Sequence, residues 1–148
     1  MVFPIQSASS APTSSAPTAP PLRVATAGEA LFDLIEEPDG RLKPCAGGAV
    51  YNLTRALGLQ GVGTQYLNPL AGDMLGRQLA HGLHEAGVAL AAPTPVRAPS
   101  ALALAALDAE GKASYSFYRD GVADRQVTAA ALTAACAAAV TWLSLIHI

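Results

Sequence analysis

Basic charge is scarce in this sequence and is not concentrated anywhere. Nine Lys and Arg residues stand against eleven Asp and Glu, for a formal net charge of −2 with His neutral. Proteins that bind nucleic acid cluster their basic residues to neutralise phosphates, whereas these are spread along the chain. The sequence therefore argues against a nucleic-acid partner.

Long apolar runs are also absent. The hydrophobic fraction of 51% is raised by alanine, and aromatic residues make up only 5%. No run reaches the roughly 18 apolar residues that a membrane span needs. We therefore expect no membrane partner.

Cysteine is rare, and the phosphate loop of the Walker type is missing. Cys45 and Cys136 are the only cysteines; they lie far apart and form no Cys-x-x-Cys pair. Thiols in a reducing cytosol are favoured over a single disulfide, which predicts a cytoplasmic protein. No Gly-Lys-Ser/Thr occurs, so a Walker loop is excluded.

The two ends of the sequence differ in character from its middle. Residues 6–21 are almost wholly Ser, Ala, Pro and Thr, and we interpret residues 1–21 as a disordered extension. At 148 residues the chain has room for one modest domain, which we assign to residues 22–142. The last six residues, 143–148, read Leu-Ser-Leu-Ile-His-Ile, which matches a translated transposase adapter from sequencing libraries. We interpret them as such an artefact, with a genuine terminal strand as the alternative.

Patterns of strand and helix alternate along the middle of the chain and predict an α/β layer structure. Apolar runs predict strands at 22–28 and 62–67, and a second apolar run follows the first at 29–35. Asp73 is placed to cap a helix that carries Leu75, Leu79 and Leu83 on one face and ends at Gly87. An alanine-rich helix is predicted over 128–139, and two runs, 102–107 and 113–118, flank a Gly-bearing loop and predict a β-hairpin.

The glycine pair Gly47-Gly48 is the first candidate binding feature. It precedes a predicted helix that runs to about Gly58 and Gly61, so it lies at a loop-to-helix junction. Glycines allow close approach of a ligand, and free N–H groups at a helix start favour oxygen-rich ligands. Asn52 adds a side chain that both donates and accepts, as a hydroxyl requires.

Several motifs in order resemble one family. They are Gly28-Glu29 with Asp33, the glycine pair with Asn52, Asp73 with Gly76, the hairpin ending Phe117-Tyr118-Arg119, and Ala123-Asp124. This order resembles the N-terminal half of the PfkB (ribokinase-like) carbohydrate kinases, most closely their fructokinase and 2-keto-3-deoxygluconate kinase branch. The resemblance implies a truncated three-layer α/β/α fold with a β-hairpin lid at about 101–119.

The resemblance also implies roles for individual positions. The substrate-binding residues that it implies are Asp33, Gly47, Gly48, Asn52, Phe117 and Arg119. Plain structural roles stay open for three of them: Asp33 at a strand end, Asn52 at a helix start and Arg119 on a solvated hairpin edge. ATP and Mg²⁺ are implied as cofactors, with their sites and the catalytic base in a C-terminal half that is not in this sequence. We therefore expect no catalytic residue here, and this part alone to be inactive.

Two further features are interpreted as structural. Ala71-Gly72-Asp73 looks like a catalytic Gly-Ala-Gly-Asp signature, but Leu70 replaces its first glycine and it precedes the hairpin, so Asp73 is assigned to capping. His81, His84 and Glu85 lack further converging ligands, and no metal site is predicted.

The predicted function is that of an ATP-dependent, fructokinase-like sugar kinase acting on a sugar hydroxyl. The alternatives are a 2-keto-3-deoxygluconate kinase, a ribokinase-like kinase, or a non-catalytic sugar-binding or inactive fragment. The expected partner is a small sugar, and a homodimer through the lid strands is a further expectation.

Overall fold

The computed structural model describes residues 24–107, 113–138 and 141–144. The strands are β1 (Val24–Ala27), β2 (Leu31–Glu36), β3 (Leu42–Gly47), β4 (Thr64–Tyr66), β5 (Ala89–Leu90), β6 (Ala101–Leu107), β7 (Ala113–Tyr118) and β8 (Thr141–Ser144). The helices are α1 (Ala49–Leu59), α2 (Met74–Glu85) and α3 (Ala129–Ala138), with a short 3₁₀ helix at Ala123–Gln126.

A parallel core sheet in the order β5-β4-β1-β8 lies between helices. One face of β1 presents Thr26, whose hydroxyl lies 2.8 Å from that of Thr54 in α1. The opposite face presents Ala25 and Ala27, against which Leu132 of α3 packs. Because neighbouring residues of a strand point to opposite faces, α1 and α3 cover different sides. This confirms the predicted three-layer α/β/α arrangement.

A second sheet in the order β3-β2-β6-β7 makes up the lid. Strands β6 and β7 pair antiparallel from Leu102–Tyr118 to Leu107–Ala113, which confirms the predicted hairpin. The lid is larger than the sequence indicated, because β3 pairs with β2 along its whole length. Strand β3 was missed since Pro44 interrupts it and most of its residues are exposed. A proline is tolerated there because β3 is an edge strand.

Helix α2 has the predicted ends. The Asp73 carboxylate accepts the N–H of Gly76 at 2.7 Å, as an N-cap does. Gly87 follows the last turn with φ of 73°, and the Val88 N–H donates to the Leu83 carbonyl at 3.0 Å. This left-handed glycine ends the helix in the manner expected. Leu79 and Leu83 are buried beneath it, in the core that also includes Tyr51 and Tyr66.

The predicted disordered extension and the predicted adapter artefact concern residues that lie mostly outside the described part of the chain. Residues 1–21 and 145–148 are among those that the structure does not describe. Leu143 and Ser144 form the end of β8, parallel to Thr26 and Ala27 of β1. The extension and the adapter artefact therefore stay predictions. In the part of the chain that is described, no helix has both the length and the apolar character to cross a membrane.

Candidate functional site

The chain passes from the core sheet to the lid sheet at Gly28, Glu29 and Ala30. The Gly28 N–H donates to the side-chain oxygen of Asn68 at 2.8 Å, and the Tyr66 hydroxyl donates to the Gly28 carbonyl at 2.7 Å. The Ala30 N–H donates to a carboxylate oxygen of Asp124 at 3.3 Å. Since both sides of this short link are hydrogen-bonded, Glu29 is held in one place between the sheets.

Glu29 brings together segments that are distant in sequence. Its Oε1 accepts the N–H of Ala49, the first residue of α1, at 3.1 Å. Its Oε2 lies 3.1 Å from Nη2 of Arg119, just beyond β7. Its backbone carbonyl accepts the Tyr51 N–H at 3.2 Å. A carboxylate at this position suits the positive end of the helix dipole.

The glycine pair fits closely around this carboxylate-bearing link. Gly48 is the N-cap of α1 with φ of 103°, and a Cβ there would lie 2.8 Å from the Glu29 carbonyl oxygen. The expectation that the helix start offers free N–H groups needs correction, because Glu29 already occupies those of Ala49 and Tyr51. Gly48 thus serves first to let Glu29 approach the helix.

Asp33 lies on β2 and leans over Gly47. A Cβ at Gly47 would collide with Oδ2 of Asp33, so the missing side chain leaves space for this carboxylate. Partial burial raises the pKa of Asp33, and the charge of Glu29 raises it further. The carboxylate is only half-buried, and therefore accessible as a hydrogen-bond acceptor beside the glycine turn.

Arg119 is buried, with 8% of its side chain exposed. One of its nitrogens faces Glu29, whereas Nε and Nη1 are buried without a hydrogen-bond partner in the described residues. The solvated hairpin-edge alternative is therefore wrong for this residue. Its guanidinium lies 6.0 Å from the ring centre of Phe117, so Phe117 and Arg119 are neighbours. Phe117 is itself 54% exposed and stacks on Tyr115.

A pocket of about 360 Å³ lies next to the Glu29–Arg119 pair. Two of its lining residues, Asn68 and Asp124, were not among the sequence-predicted site residues. The Asn68 amide donates to the Asp124 carbonyl at 2.6 Å. Burial raises the pKa of Asp124, although the Ala30 N–H and the charge of Arg119 oppose this. Only Arg119 among the sequence-predicted residues lines this pocket.

The structure thus gathers four of the six predicted residues around Glu29. These are Asp33, Gly47, Gly48 and Arg119. Asn52 lies one turn into α1, where its N–H donates to the Gly48 carbonyl at 3.0 Å and its side chain is exposed. Phe117 joins the group through Arg119. Glu29 belongs to the Gly28-Glu29 motif, but the sequence did not predict that its carboxylate contacts both the start of α1 and Arg119.

The described residues contain no group of three His, Cys, Asp or Glu side chains that could hold a metal ion. His81 instead lies 3.3 Å from Glu85 on the exposed face of α2. Asp73 is occupied by capping.

Comparison with known proteins relates this arrangement to sugar kinases. No family model matches the sequence. The chain is 35% identical over 109 residues to a fructokinase of Rhizobium leguminosarum bv. trifolii, a match that covers 71% of this chain and 33% of that protein. The chain therefore spans about a third of the length of this curated relative.

Solved structures give the same relationship. The crystal structure of a fructokinase from Xylella fastidiosa superimposes with a TM-score of 0.73 at 32% identity, covering 82% of this chain and 42% of that one. A structure of fructokinase from the same organism with bound ATP gives a TM-score of 0.72 at 30% identity, covering 83% and 42%.

Proposed function

The chain belongs to the PfkB (ribokinase-like) carbohydrate kinase family, and from this premise we propose that the complete protein is an ATP-dependent, fructokinase-like sugar kinase. One structural observation supports the proposal beyond the similarity itself. Arg119 at the base of the lid meets Glu29 beside the glycine turn, 3.1 Å away. This contact places Arg119 next to the glycine turn, where Gly48 and Asp33 also lie close to Glu29, and such a grouping of polar residues is what binding of a small ligand requires.

The proposed sugar contacts around the glycine turn are Asp33 and Gly47 on β2 and β3 of the lid sheet, and Gly48 and Asn52 at the start of α1. Asp33 accepts hydrogen bonds from sugar hydroxyls, and the absence of a Cβ at Gly47 lets its carboxylate lie over the turn. Asn52 both donates and accepts, which suits a hydroxyl. A sugar needs several such directed bonds, because its hydroxyls lose water on binding.

The lid contributes Arg119 and Phe117 to the proposal. Two buried nitrogens of Arg119 lack protein partners in the described residues, and an unsatisfied buried donor is costly unless a ligand or water completes it. We propose that a sugar oxygen accepts from them. Phe117 beside the guanidinium offers an apolar ring to the carbon face of a sugar, and closure of the lid excludes water from phosphoryl transfer.

The phosphate donor of the proposed reaction is ATP, the ligand in the related Xylella fastidiosa structure. ATP supplies the phosphoryl group, and Mg²⁺ offsets the charge of its phosphates. The described residues contain no three His, Cys, Asp or Glu side chains that could hold a metal ion, and the location of the ATP and Mg²⁺ sites outside this sequence stays a prediction. We therefore assign no residue of this chain to ATP, to Mg²⁺ or to the catalytic base, and we expect the chain alone to be inactive as a kinase.

The homodimer and the cytoplasmic location also remain predictions. A homodimer through the lid would cover the exposed side chains of Tyr115, Phe117 and Tyr118 on β7, an edge strand. Sedimentation of the complete protein tests this prediction. A cytoplasmic location remains the expectation drawn from the cysteine pattern.

The decisive experiment is a phosphorylation assay of the complete protein with fructose, 2-keto-3-deoxygluconate and ribose. We expect fructose to be preferred and Asp33→Ala to lower kcat/KM for the sugar about a hundredfold, the effect of losing a charge-assisted hydrogen bond in the transition state. Glu36→Gln, an exposed carboxylate at the end of β2, is the matched control. A folded complete protein that phosphorylates none of the sugars would contradict the proposal, and unchanged turnover in Asp33→Ala would remove that residue from it.

A further inference from the structure

The chain crosses between the core sheet and the lid sheet at four places in the described residues. The crossings are at 28–30, at 47–49, at 99–100 and at 119–122, as the order of the strands requires. Any relative movement of the two sheets must bend the chain at these crossings. Contacts between the crossings therefore decide how the lid is held relative to the core.

Glu29 is the residue that links three of these crossings. It lies in the first, its Oε1 accepts the Ala49 N–H in the second at 3.1 Å, and its Oε2 faces Arg119 in the fourth at 3.1 Å. The third crossing is joined to the fourth by the Ala123 N–H, which donates to the Pro99 carbonyl at 2.9 Å. One carboxylate thus connects the glycine turn to the base of the lid.

The Glu29–Arg119 ion pair is buried, so the loss of either charge should affect stability. Side-chain exposure is 13% for Glu29 and 8% for Arg119. Removing one charge from a buried pair leaves the other uncompensated and is strongly unfavourable, whereas surface pairs contribute little. Arg119 is also attracted by the Asp124 carboxylate, but its ion pair is with Glu29, and we therefore expect Glu29 to orient it.

We propose that Glu29 is a positioning residue, which sets Arg119 and the glycine turn in register so that lid and core present their sugar-binding groups together. The part of this inference that concerns the sugar rests on the proposed function, whereas the mechanical coupling does not. The carboxylate uses one oxygen for each partner, so that Nε and Nη1 of Arg119 are left to a ligand.

Substitutions at position 29 can remove the contact with Arg119 separately from the contact with the Ala49 N–H. In Glu29→Gln the amide oxygen can still accept the Ala49 N–H, but the amide NH₂ places donors against the Arg119 guanidinium. In Glu29→Ala both links are lost. Glu36→Gln again serves as a control, since Glu36 ends β2 in solvent.

Amide hydrogen exchange on the complete protein, without added sugar or ATP, tests the coupling. In Glu29→Gln we expect the Ala123 amide and the β6–β7 amides to exchange about tenfold faster, while the Ala49 and Tyr51 amides keep their protection. In Glu29→Ala the Ala49 amide should also exchange faster because its side-chain acceptor is lost, whereas the Tyr51 N–H keeps the backbone carbonyl of residue 29. Equal loss of protection at all amides in both variants, or no change in either, would overturn the proposal.

Steady-state kinetics of the complete protein test the consequence for the sugar. For Glu29→Gln we expect the sugar KM to rise about tenfold, with the KM for ATP within about twofold of wild type. Arg119→Lys keeps a charge opposite Glu29 and should be less affected than Arg119→Met. A sugar KM that does not change in Glu29→Gln would overturn the positioning role even where exchange shows the coupling. A failed kinase assay with altered exchange would instead count only against the proposed function.

Discussion

Ser100 donates both its backbone N–H and its hydroxyl to the Asp73 carboxylate, at 2.8 and 2.7 Å. The same carboxylate caps α2 through the Gly76 N–H. Asp73 therefore fastens the entry of the lid sheet, where β6 begins, to a helix of the core. This gives the third crossing between the sheets an anchor of its own, separate from Glu29.

Because Asp73 forms this anchor as a carboxylate, we expect the free energy of unfolding to depend on pH in the acidic range. Burial alone would raise the pKa of Asp73, but the hydrogen bonds from Gly76 and Ser100 hold it below its ordinary value of 3.8. A carboxyl whose pKa is lowered on folding contributes stability that is complete above the unfolded value and is lost as pH falls through the folded value. We expect Asp73→Asn, which keeps a capping oxygen but cannot accept from the Ser100 N–H, to cost about 1 kcal/mol at neutral pH.

Urea unfolding of wild type and Asp73→Asn across the acidic range checks this prediction. The difference between them should shrink below about pH 4, where protonated Asp resembles Asn. Glu36→Gln, on an exposed side chain, should show no such convergence. A stability difference that is constant with pH would mean that the ionised carboxylate is not what Ser100 requires.

Gly48 and Gly61 compare a crowded glycine with an uncrowded one at positive φ, and the ψ of 131° at Gly48 adds backbone strain there. Both have positive φ, 103° and 76°, but a Cβ at Gly61 meets nothing within 4 Å, whereas one at Gly48 would lie 2.8 Å from the Glu29 carbonyl oxygen. We expect Gly61→Ala to cost about 1 kcal/mol from the left-handed backbone alone. Gly48→Ala should cost at least about 2 kcal/mol more because the Glu29 link must move. Chemical denaturation of both variants measures the difference, and equal costs would contradict close packing at Gly48.

Asp33 is expected to lower the stability of the chain at neutral pH. Its pKa is raised by partial burial and by Glu29. A raised folded pKa gives stability that is present below the unfolded value and lost as pH rises through the folded value. Asp33→Asn should therefore be more stable than wild type at about pH 7, and the gain should vanish below about pH 4. Thermal unfolding against pH measures this, with Asp120→Asn on an exposed carboxylate as the control. A loss of stability in Asp33→Asn would show that the ionised group is favourably held.

How far the sequence predicts this structure depends on whether the signal is local. The cap and glycine ends of α2 were predicted because Asp73 and Gly87 act on neighbouring residues. Strand β3 was not, since it is stabilised by pairing with β2 rather than by its own exposed residues. Helix α1 ends at Leu59, near Gly58 and Gly61 as predicted, but the reason for a glycine at position 58 was not foreseen: a Cβ there would collide with the Ala86 carbonyl. A close approach to Ala86, the residue that follows α2, cannot be recognised from the sequence of α1 alone.

Some residues of the candidate site were predicted from the sequence, whereas the role of Glu29 was not. Asp33, the glycine pair and Arg119 could be found through ordered motifs, and the structure brings them together. The role of Glu29 could not, because its partners Ala49 and Arg119 are 20 and 90 positions away in sequence. A buried ion pair across such a distance becomes visible only when the sheets are assembled.

Gly47 provides a test of the site that leaves the fold nearly unchanged. A Cβ at Gly47 would collide with Oδ2 of Asp33, which is the end of a side chain that can turn away. We therefore expect Gly47→Ala to change the free energy of unfolding by less than about 1 kcal/mol, yet to weaken sugar binding in the complete protein about as much as Asp33→Ala does. In the Asp33→Ala background the collision disappears, so Gly47→Ala should have little further effect on binding. Calorimetric titration of the four proteins measures this coupling. Additive losses from the two substitutions would show that Gly47 affects the sugar by a route other than the Asp33 carboxylate.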